Sequence, residues 1–430
     1  MKQHIVVDEQ VSLLGPGQPM LGPIASGSTV VARTAPGCWG PMITPEIIGG
    51  HEVTQPIAIE GAEPGDALLV KIKKIQVLSL ATMSGTDRPI KGRYDENGDA
   101  ATFARCPNCN LLNPPTVIKG IGPEAIRCTA CGAPAIPFEN PSGYTIMFDE
   151  DRKFGVTVQK EMAEEVAKRA HHYSALPNGS KQNPATIMGS ADLVGVWSRL
   201  RPFVGNIGTS PALTFPAVKN SQDIAARGLG ANNKYGIKEE DLEKIPDSHL
   251  DCAEVRAGSV IITPVKIPGA GLYLGDVHAV QGDGEIAGHT VDVSAEITVE
   301  VYLLKGANFE TTILLPNPED IPEIARPLNE KEKALIKSLS EHLGVEMEGE
   351  VLPIQVIGTG SGINDAVQVA LNRMSKLTGM ELDEVKNRCT ITGEAKISRI
   401  SGVVQLTMLT PVSILDKMGI GDIVREMYAK

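Results

Sequence analysis

The sequence has few aromatic residues and no long apolar run. Phe, Trp and Tyr make up 4% of the 430 residues, whereas there are 44 Gly and 30 Pro. This composition favours short strands joined by tight turns over long helical bundles. No apolar run approaches the roughly 20 residues that cross a bilayer. The N-terminal MKQHIVVDEQ also lacks the charged start and apolar core of a secretion signal. We therefore expect a soluble, cytoplasmic protein without a membrane partner.

Basic residues are also scarce relative to acidic ones. The chain has 40 Lys and Arg against 52 Asp and Glu, which gives a net charge of -12. Binding to a phosphate backbone needs a concentrated basic surface, so we expect no nucleic-acid partner. A small neutral substrate and a small cationic substrate fit this charge equally well.

The cysteines do not suggest a disulfide framework. There are seven of them, an odd number, and four lie in two CxxC pairs separated by eighteen residues: Cys106, Cys109, Cys128 and Cys131. Two CxxC knuckles are a common way to offer four thiolates to tetrahedral zinc. The spacing therefore predicts a structural zinc in a zinc-ribbon-like insertion. A redox role and an iron centre remain the alternatives, and a zinc closed by four thiolates has no position left for a substrate.

Period-two patterns predict strands in both halves of the chain. In the segment 65–77, Leu68, Val70 and Ile72 alternate with Leu69, Lys71 and Lys73. Segment 259–265 has strand composition, and in segment 297–303 the apolar residues Ile297, Val299, Val301 and Leu303 share one face. Such alternation is typical of half-buried strands.

Helical spacing appears in the middle of the chain and near its end. Met162, Val166 and Ala170 recur every four residues, which predicts an amphipathic helix there. Segments 329–343 and 365–377 also carry helical spacing, and we expect these two helices to pack on the sheets.

The predicted fold is mainly β (α+β), with packed sheets forming a β-sandwich-like core and helices in the C-terminal part. We predict four units: an N-terminal β-rich part (1–100), the zinc-ribbon-like insertion (101–140), a central β-rich part (141–320) and a C-terminal α/β part (321–430). A chain of 430 residues is long enough for more than one core.

The segment GDVHAVQGDGE, residues 275–285, concentrates polar side chains after a strand-like run. These side chains are Asp276, His278, Gln281, Asp283 and Glu285. Carboxylates and an imidazole at this density are costly unless they are paired or used. The segment predicts a metal site or an acid–base site. A calcium or salt-bridge loop with a purely structural role is the alternative.

The longer run PGAGLYLGDVHAVQGDGEIAG, residues 268–288, resembles the signature of the acetamidase/formamidase family. Three more stretches are similar to that family in the same order: 49–72 (GGHEVTQPIAIEGAEPGDALLVKI), 202–212 (PFVGNIGTSPA) and the tail 358–412. The resemblance covers nearly the whole chain, with the four-cysteine module as an insertion. The chain differs at His249, where asparagine is usual, and at Asp292, where glutamate is usual.

This resemblance implies a homo-oligomeric amidase that hydrolyses the C–N bond of a small carboxamide, such as formamide or acetamide, to a carboxylate and ammonia. Two alternatives remain. One is a hydrolase of a larger or cyclic amide, and the other is a non-catalytic binding or assembly protein on the same scaffold.

An amide hydrolase must activate water, stabilise the oxyanion and protonate the leaving amine. We hypothesise that Glu285 is the general base and then the proton donor, with Asp276 and His278 as its catalytic partners. The candidate ligands of a second divalent metal, Zn²⁺ or Ca²⁺, are His51, His249, Asp276 and His278. The candidate substrate contacts are Gln281, Asp283, Asp251 and Gly208. Segment 205–210 is predicted to offer backbone N–H groups to the oxyanion, and the thiols of Cys38 and Cys252 are the alternative nucleophiles.

Overall fold

The computed structural model describes residues 1–37, 44–182, 189–217, 232–400 and 402–429. Strands dominate this part of the chain and the longest helices lie towards its C-terminus, so the predicted mainly β fold class is confirmed. The strands are β1 (His4–Val7), β2 (Gln10–Val11), β3 (Leu13–Leu14), β4 (Leu21–Ile24), β5 (Ser28–Thr34), β6 (Val53–Thr54), β7 (Ile57–Ile59), β8 (Ala67–Val77), β9 (Ala81–Pro89), β10 (Thr116–Ile118), β11 (Ile126–Cys128), β12 (Phe138–Phe148), β13 (Phe154–Thr157), β14 (Trp197–Arg199), β15 (Phe203–Thr209), β16 (Phe215–Pro216), β17 (Val260–Pro264), β18 (Leu272–His278), β19 (Asp292–Val293), β20 (Ala295–Leu304), β21 (Ile313–Leu315), β22 (Val351–Thr359), β23 (Gly393–Arg399) and β24 (Val403–Pro411). The α-helices are α1 (Lys160–Lys168), α2 (Ala170–Ser174), α3 (Glu330–Leu343), α4 (Ile363–Thr378), α5 (Leu382–Thr392), α6 (Val412–Lys417) and α7 (Gly421–Tyr428). Short 3₁₀ helices span Pro123–Ala125, Glu239–Lys244, Pro318–Asp320 and Glu323–Ala325.

The largest sheet of the described chain has nine strands in the order β1-β5-β20-β8-β17-β21-β22-β24-β23. Its neighbours pair antiparallel, except for the parallel pair of β1 and β5. A second sheet has the order β2-β6-β18-β7-β4, and β15 and β19 also pair with β18. Smaller sheets are formed by β14-β13-β12-β9, by β10-β11 and by β16-β3.

The two larger sheets share one hydrophobic core. Val70 and Val299 of the nine-stranded sheet belong to the same buried cluster as Ile57, Leu272 and Leu274 of the second sheet. Burial of aliphatic side chains between two sheets is the packing of a β-sandwich. The predicted sandwich-like core is therefore present, and it supports β18, the strand that carries Asp276 and His278 of segment 275–285.

The C-terminal helices cover the other face of the nine-stranded sheet. Ala366, Ala370 and Met374 of α4 are buried in one cluster with Leu69 of β8 and Ile354 of β22. The helix predicted over 365–377 and its packing on the sheet are confirmed, because Ala366, Ala370 and Met374, spaced four positions apart, share its buried face. Leu69 was predicted on the polar face of its strand, but it is buried because α4 and its neighbours cover that face.

Helix α3 lies where it was predicted but does not pack as expected. Asn329 caps its N-terminus in a capping box with Glu332, whose side chain accepts from the Asn329 backbone N–H at 2.9 Å. None of its residues is buried, and Leu335 and Leu339 are 71% and 55% exposed. The expectation that this helix packs on the sheets is wrong.

The helical prediction around residue 166 is confirmed with a shifted face. Val166 and Ala170 are buried, as expected, but Met162 is exposed. Ala163 and Ala167 complete the buried stripe instead, since residues three and four positions apart share a helix face. None of the helices in the described segments is long and apolar enough to cross a membrane. The four predicted unit boundaries stay predictions.

Candidate active site and metal clusters

Strand β18 organises the polar cluster because it pairs with four other strands. Asp276 and His278 lie on β18, and both side chains are buried. Strand β6 pairs with β18 at Gly275, which brings the preceding His51 next to Asp276. Strand β19 places Asp292 directly opposite His278 in the ladder. Residues far apart in sequence therefore meet beside one strand.

His249 and Asp251 reach the same place through β15. Residues Leu250 and Asp251 both donate their backbone N–H groups to the carbonyl of Gly205, at 2.7 and 3.1 Å. A Cβ at Gly205 would lie 2.7 Å from Oδ1 of Asp251 and 2.9 Å from Oδ2 of Asp276. Only glycine lets the backbone of β15 approach the two carboxylates so closely.

One side of the cluster contains two histidines. Oδ2 of Asp276 lies 3.8 Å from Nδ1 of His51 and 3.4 Å from Nε2 of His249. Oδ2 of Asp251 lies 3.1 Å from the same nitrogen of His249. The rings of His51 and His249 are 4.6 Å apart in a T-shaped arrangement.

The other side is built around His278. Its Nε2 lies 3.0 Å from Oδ1 of Asp276, 3.2 Å from Oδ1 of Asp292 and 3.9 Å from Oδ1 of Asp251. Asp251 and Asp276 thus each direct one oxygen towards His249 and the other towards His278.

These distances fit metal ligation. Tetrahedral zinc with ligands near 2.1 Å has ligand–ligand edges of about 3.4 Å. Two overlapping groups have ligand atoms that all lie within 4.8 Å of one another: His51, His249 and Asp276, and Asp251, Asp276 and His278. Both oxygens of Asp251, and Oδ2 of Asp276 and of Asp292, are buried and accept no hydrogen bond from the described residues. Buried carboxylate oxygens are costly unless positive charge lies beside them, and here that charge can come from Arg399, from a protonated His278 or from a metal ion.

Gln281 fixes the orientation of the His278 ring. Its Nε2 donates to the carbonyls of Asp251 and Ser398 at 2.8 and 2.9 Å, so its Oε1 must face Nδ1 of His278, 2.7 Å away. Nδ1 of His278 therefore carries the proton that donates to Oε1. In the neutral ring, the lone pair of Nε2 then points at the carboxylates, as a metal-ligating histidine requires.

The electrostatics of the cluster favour positive charge. Burial alone would lower the pKa of His278, but the negative charge of Asp276, 3.0 Å from Nε2, raises it well above its usual value. Burial alone would raise the pKa of Asp276, yet His278 and His51 hold it well below its usual range. Burial raises the pKa of Asp292 well above its usual value, opposed by His278. The negative charge of the carboxylates can therefore be balanced by a proton on His278 or by a bound cation.

Glu285 sits at the edge of this cluster with an unusual pKa. Burial, helped by the negative charge of Asp251, raises it to about 7, while His278 and Arg399 act in the opposite direction. A carboxylate with a pKa near neutrality can accept a proton and return it.

Three acidic residues of the site have left-handed backbone conformations. The φ angles are +49° at Asp251, +55° at Asp276 and +43° at Glu285. Such conformations cost of order 1 kcal/mol or more for residues other than glycine and cluster at functional sites. The fold therefore holds these three carboxylates in place at an energetic cost.

Two residues of the site were not among the predicted ones. Asp292 had been noted only as a difference from the family pattern. Arg399 ends β23, and its Nε lies 3.3 Å from Oδ2 of Asp251. No motif surrounds Arg399 in the sequence. It is brought in because the backbone of Ile400 donates to the carbonyl of Gly284 at 2.7 Å.

Three of the predicted substrate contacts do not offer a free group at the carboxylate cluster. Asp283 is on the surface, with its side chain 59% exposed and 3.3 Å from Lys396. Gly208 pairs with Tyr273 on β18, and a Cβ there would lie 2.6 Å from Ser248 rather than near the carboxylates. Gln281 has both of its polar groups engaged by the protein. These three therefore do not join the buried carboxylates as free substrate contacts.

Segment 205–210 lies largely in β15 and is not an open loop. The backbone N–H groups of Ile207 and Ser210 donate to the carbonyls of Ser248 and of Ala270 and Gly271. Those two amides are thus occupied by the fold and do not supply the predicted oxyanion contacts.

The structure does not support the Cys252 thiol as an alternative nucleophile. Its Sγ is buried, 2.9 Å from Oγ of Ser398, and burial raises its pKa well above the usual value. A protonated, buried thiol is a poor nucleophile. Cys38 lies outside the described residues.

The four predicted zinc ligands form a separate cluster. Sγ of Cys106 lies 3.4 Å from Sγ of Cys131, and Sγ of Cys109 lies 3.8 Å from Sγ of Cys128. A disulfide has its sulfurs about 2.05 Å apart, whereas tetrahedral zinc–thiolate sites have edges of about 3.8 Å. The arrangement therefore fits one zinc and excludes disulfides within this cluster.

Replacing Gly205 with Ala is expected to displace the carboxylates of Asp251 and Asp276. The added methyl group would push on Asp251 and Asp276 and cost about 1–3 kcal/mol of folding free energy, as overpacking does. Urea denaturation and Co²⁺ titration would measure both effects. Gly282→Ala is the matched control, because a Cβ there meets nothing within 4 Å. Equal stability and equal cobalt binding in the two variants would contradict the close approach.

A family model described as the acetamidase/formamidase family matches residues 39–405. A candidate formamidase of Schizosaccharomyces pombe is 25% identical over 281 residues, which cover 64% of this chain and 57% of that protein. An acetamidase of Mycolicibacterium smegmatis is 27% identical over 287 residues, which cover 65% of this chain and 59% of that protein. The match thus spans less than two thirds of each curated relative.

Solved structures share the fold. The crystal structure of a predicted acetamidase/formamidase from the thermophile Thermoanaerobacter tengcongensis superposes with a TM-score of 0.54 at 17% identity, covering 98% of this chain and 99% of that one.

Proposed function

Because this chain belongs to the acetamidase/formamidase family, we propose that it hydrolyses the C–N bond of a small carboxamide to a carboxylate and ammonia. The observation that carries the proposal is the buried cluster of Asp251, Asp276, His278 and Asp292, with Glu285 beside it. These residues lie within the span that the family model matches. The cluster combines a proton acceptor with a place for a cation, and both can assist amide hydrolysis.

The donor set of the cluster suits a divalent metal, and its possible ligand atoms fall into two overlapping groups. His51 and His249 lie on one side and His278 with Asp292 on the other, and Asp251 and Asp276 reach both sides. A divalent metal held there would lower the pKa of a water and polarise an amide carbonyl. The proposed metal is Zn²⁺ or Ca²⁺, and elemental analysis of the purified protein would identify it.

The residues around the cluster have separate roles in the proposal. Glu285 accepts the proton of the attacking water and passes it to the leaving amine, for which a pKa of about 7 is suitable. Gln281 holds His278 in the tautomer that presents Nε2 to the cluster. Arg399 provides a positive charge next to Asp251. The burial of the cluster keeps bulk water away, which strengthens these interactions.

The four cysteines are proposed to hold a structural zinc separate from this site. Cys106 and Cys128 are buried, and all four sulfurs are near one another. The wild-type chain should therefore contain this zinc and, in addition, metal at the buried cluster. A Cys106→Ser variant is expected to lose the zinc and to retain other metal, as elemental analysis of the purified proteins would show. A single metal in the wild type that disappears on substitution would contradict two separate sites.

Ammonia release on a panel of amides tests the proposed activity. Metal-replete protein should release ammonia from formamide or acetamide, and larger and cyclic amides in the same panel define the substrate range. If folded, metal-loaded protein releases no ammonia from any of them, the proposed hydrolase activity is wrong.

We further propose a cytoplasmic homo-oligomer. Free cysteine thiols suit a reducing compartment, and the six described cysteines form no disulfides. Leu335, Leu339 and Leu343 are exposed on α3 and offer an apolar stripe to a second copy. Sedimentation velocity should show a species larger than 45.6 kDa. A monomer at all concentrations would contradict it.

A further inference from the structure

We propose that the four-cysteine module positions His51 by holding the turn that precedes it. The module is residues 101–140, and the turn is residues 44–50, which lead directly into His51. The inference rests on the proposed function only in treating His51 as a metal ligand, because the contact between the module and the turn is a property of the fold.

Four hydrogen bonds join the module to the turn. The carboxylate of Glu46 accepts from the backbone N–H of Thr116 at 2.9 Å and from its hydroxyl at 3.3 Å. The side-chain amide of Asn113 donates to the carbonyl of Pro45 at 3.0 Å. The backbone N–H of Gly49 donates to the carbonyl of Ala101 at 3.0 Å. The beginning, middle and end of the turn are therefore each held by the module.

Apolar contact adds to these bonds. Ile48 of the turn packs against the cluster formed by Phe215, Tyr235 and their neighbours, and Phe103 of the module packs against the same cluster. The rings of Phe103 and Tyr235 lie 6.0 Å apart. Ile48 is thus held on a surface that the module helps to build.

Few contacts within the turn itself fix its conformation. The bond from the Ile47 N–H to the Thr44 carbonyl, at 2.9 Å, is the one backbone hydrogen bond found within described residues 44–50. Gly49 and Gly50 both have positive φ angles, of +90° and +87°. Two consecutive glycines give the free chain many conformations, so outside contacts must select the one that delivers His51.

The bond to Glu46 depends on the zinc ligands through one short ladder. Thr116 begins β10 and pairs directly with Cys128 in β11. The N–H of Thr129 also donates to the carbonyl of Pro115 at 3.0 Å. A ladder of three residue pairs is too small to be stable alone, and metal binding usually supplies the folding free energy of such a unit. Zinc therefore orders the strand that holds Glu46.

On its other side, His51 is held by the sheet. Glu52 accepts from the Lys181 N–H and the Ser180 hydroxyl at 2.8 and 2.7 Å, and Val53 pairs with Gly275. The imidazole of His51 thus sits between a fixed strand and the turn. Without the contacts from the module, the backbone that precedes His51 would no longer hold the imidazole against Asp276. Substituting a residue that supports a metal ligand typically weakens metal binding by about 10- to 100-fold.

The test uses Glu46→Ala and Glu46→Gln in the full chain. Glu46→Gln keeps an oxygen that can accept from Thr116, so it should behave like the wild type. The control is Glu124→Ala, which removes an exposed glutamate of the module that lies 3.5 Å from Arg93. Hydrogen–deuterium exchange of residues 44–51 is measured first. Binding of Co²⁺ is measured second, with thiolate charge-transfer bands reporting the four-cysteine site and the weaker visible bands reporting the His/Asp cluster.

We expect Glu46→Ala to keep the thiolate bands, to exchange residues 44–51 at least about tenfold faster and to bind cobalt at the buried cluster about tenfold more weakly. Glu46→Gln and Glu124→Ala should match the wild type. Unchanged exchange in Glu46→Ala would overturn the inference whether or not the protein is an amidase. Faster exchange in a chain that hydrolyses no amide would sustain it while the proposed function fails.

Discussion

Replacing Glu285 with Gln should lower kcat by about 10²–10⁴-fold, the range that a positioned general acid–base contributes. Gln keeps the size of the side chain and can occupy the same buried position, but it cannot accept and return a proton. The raised pKa of Glu285, about 7, is what makes this residue suitable for both transfers. Ammonia release under saturating amide would measure the loss, and circular dichroism would confirm the fold.

The matched control for this variant is Asp283→Asn. Asp283 lies two positions earlier in the same segment, but its side chain is on the surface beside Lys396. We expect it to retain near-normal turnover and an unchanged metal content. Near-normal kcat in Glu285→Gln would remove Glu285 from the mechanism, and a metal content below that of the wild type would show that it acts as a ligand instead.

Replacing Asp276 with Asn should weaken metal binding at the buried cluster by more than about 100-fold, the upper end of what supporting residues alone contribute. Asp276 belongs to both candidate ligand groups, and its two oxygens face His249 and His278. Asparagine tolerates the left-handed conformation with φ of +55°, so the backbone should stay in place. Isothermal titration of the metal-free chain would give the affinities.

Asp292→Asn separates the two sides of the cluster. Oδ1 of Asp292 lies 3.2 Å from Nε2 of His278, on the His278 side of the cluster. If two ions bind, this variant should lose one of them and Asp276→Asn should lose both, while the cysteine zinc remains in each. Wild-type affinity for metal in Asp276→Asn would show that the cluster is held together by protons and hydrogen bonds alone.

The strands were predictable because their signal is local. The face formed by Ile297, Val299 and Val301 is fully buried in β20, as the alternation indicated. The helical spacing of α4 was predictable for the same reason, since side chains three and four positions apart must share a face. Exposure of α3 was not predictable, because an amphipathic pattern states which side is apolar and does not state whether anything covers it.

The members of the site were only partly predictable. Asp276, His278 and Glu285 stood out because polar residues are dense in one short segment. Asp292 and Arg399 lacked such context, and their roles come from strand pairing opposite His278 and beside Gly284. Asp283 shared the dense segment with Glu285, yet the chain turns between them and exposes one while burying the other.

Short spacings and motifs in a fixed order were enough to predict the four-cysteine cluster, the mainly β fold and the family. How the carboxylates and imidazoles combine depends on the tertiary fold. Asp251 and Asp276 face both His249 and His278 because β15 and β18 pair closely at Gly205, and sequence distance carries no information about that approach. The same holds for the module, whose contact with the turn before His51 joins residues about 70 positions apart, such as Glu46 and Thr116.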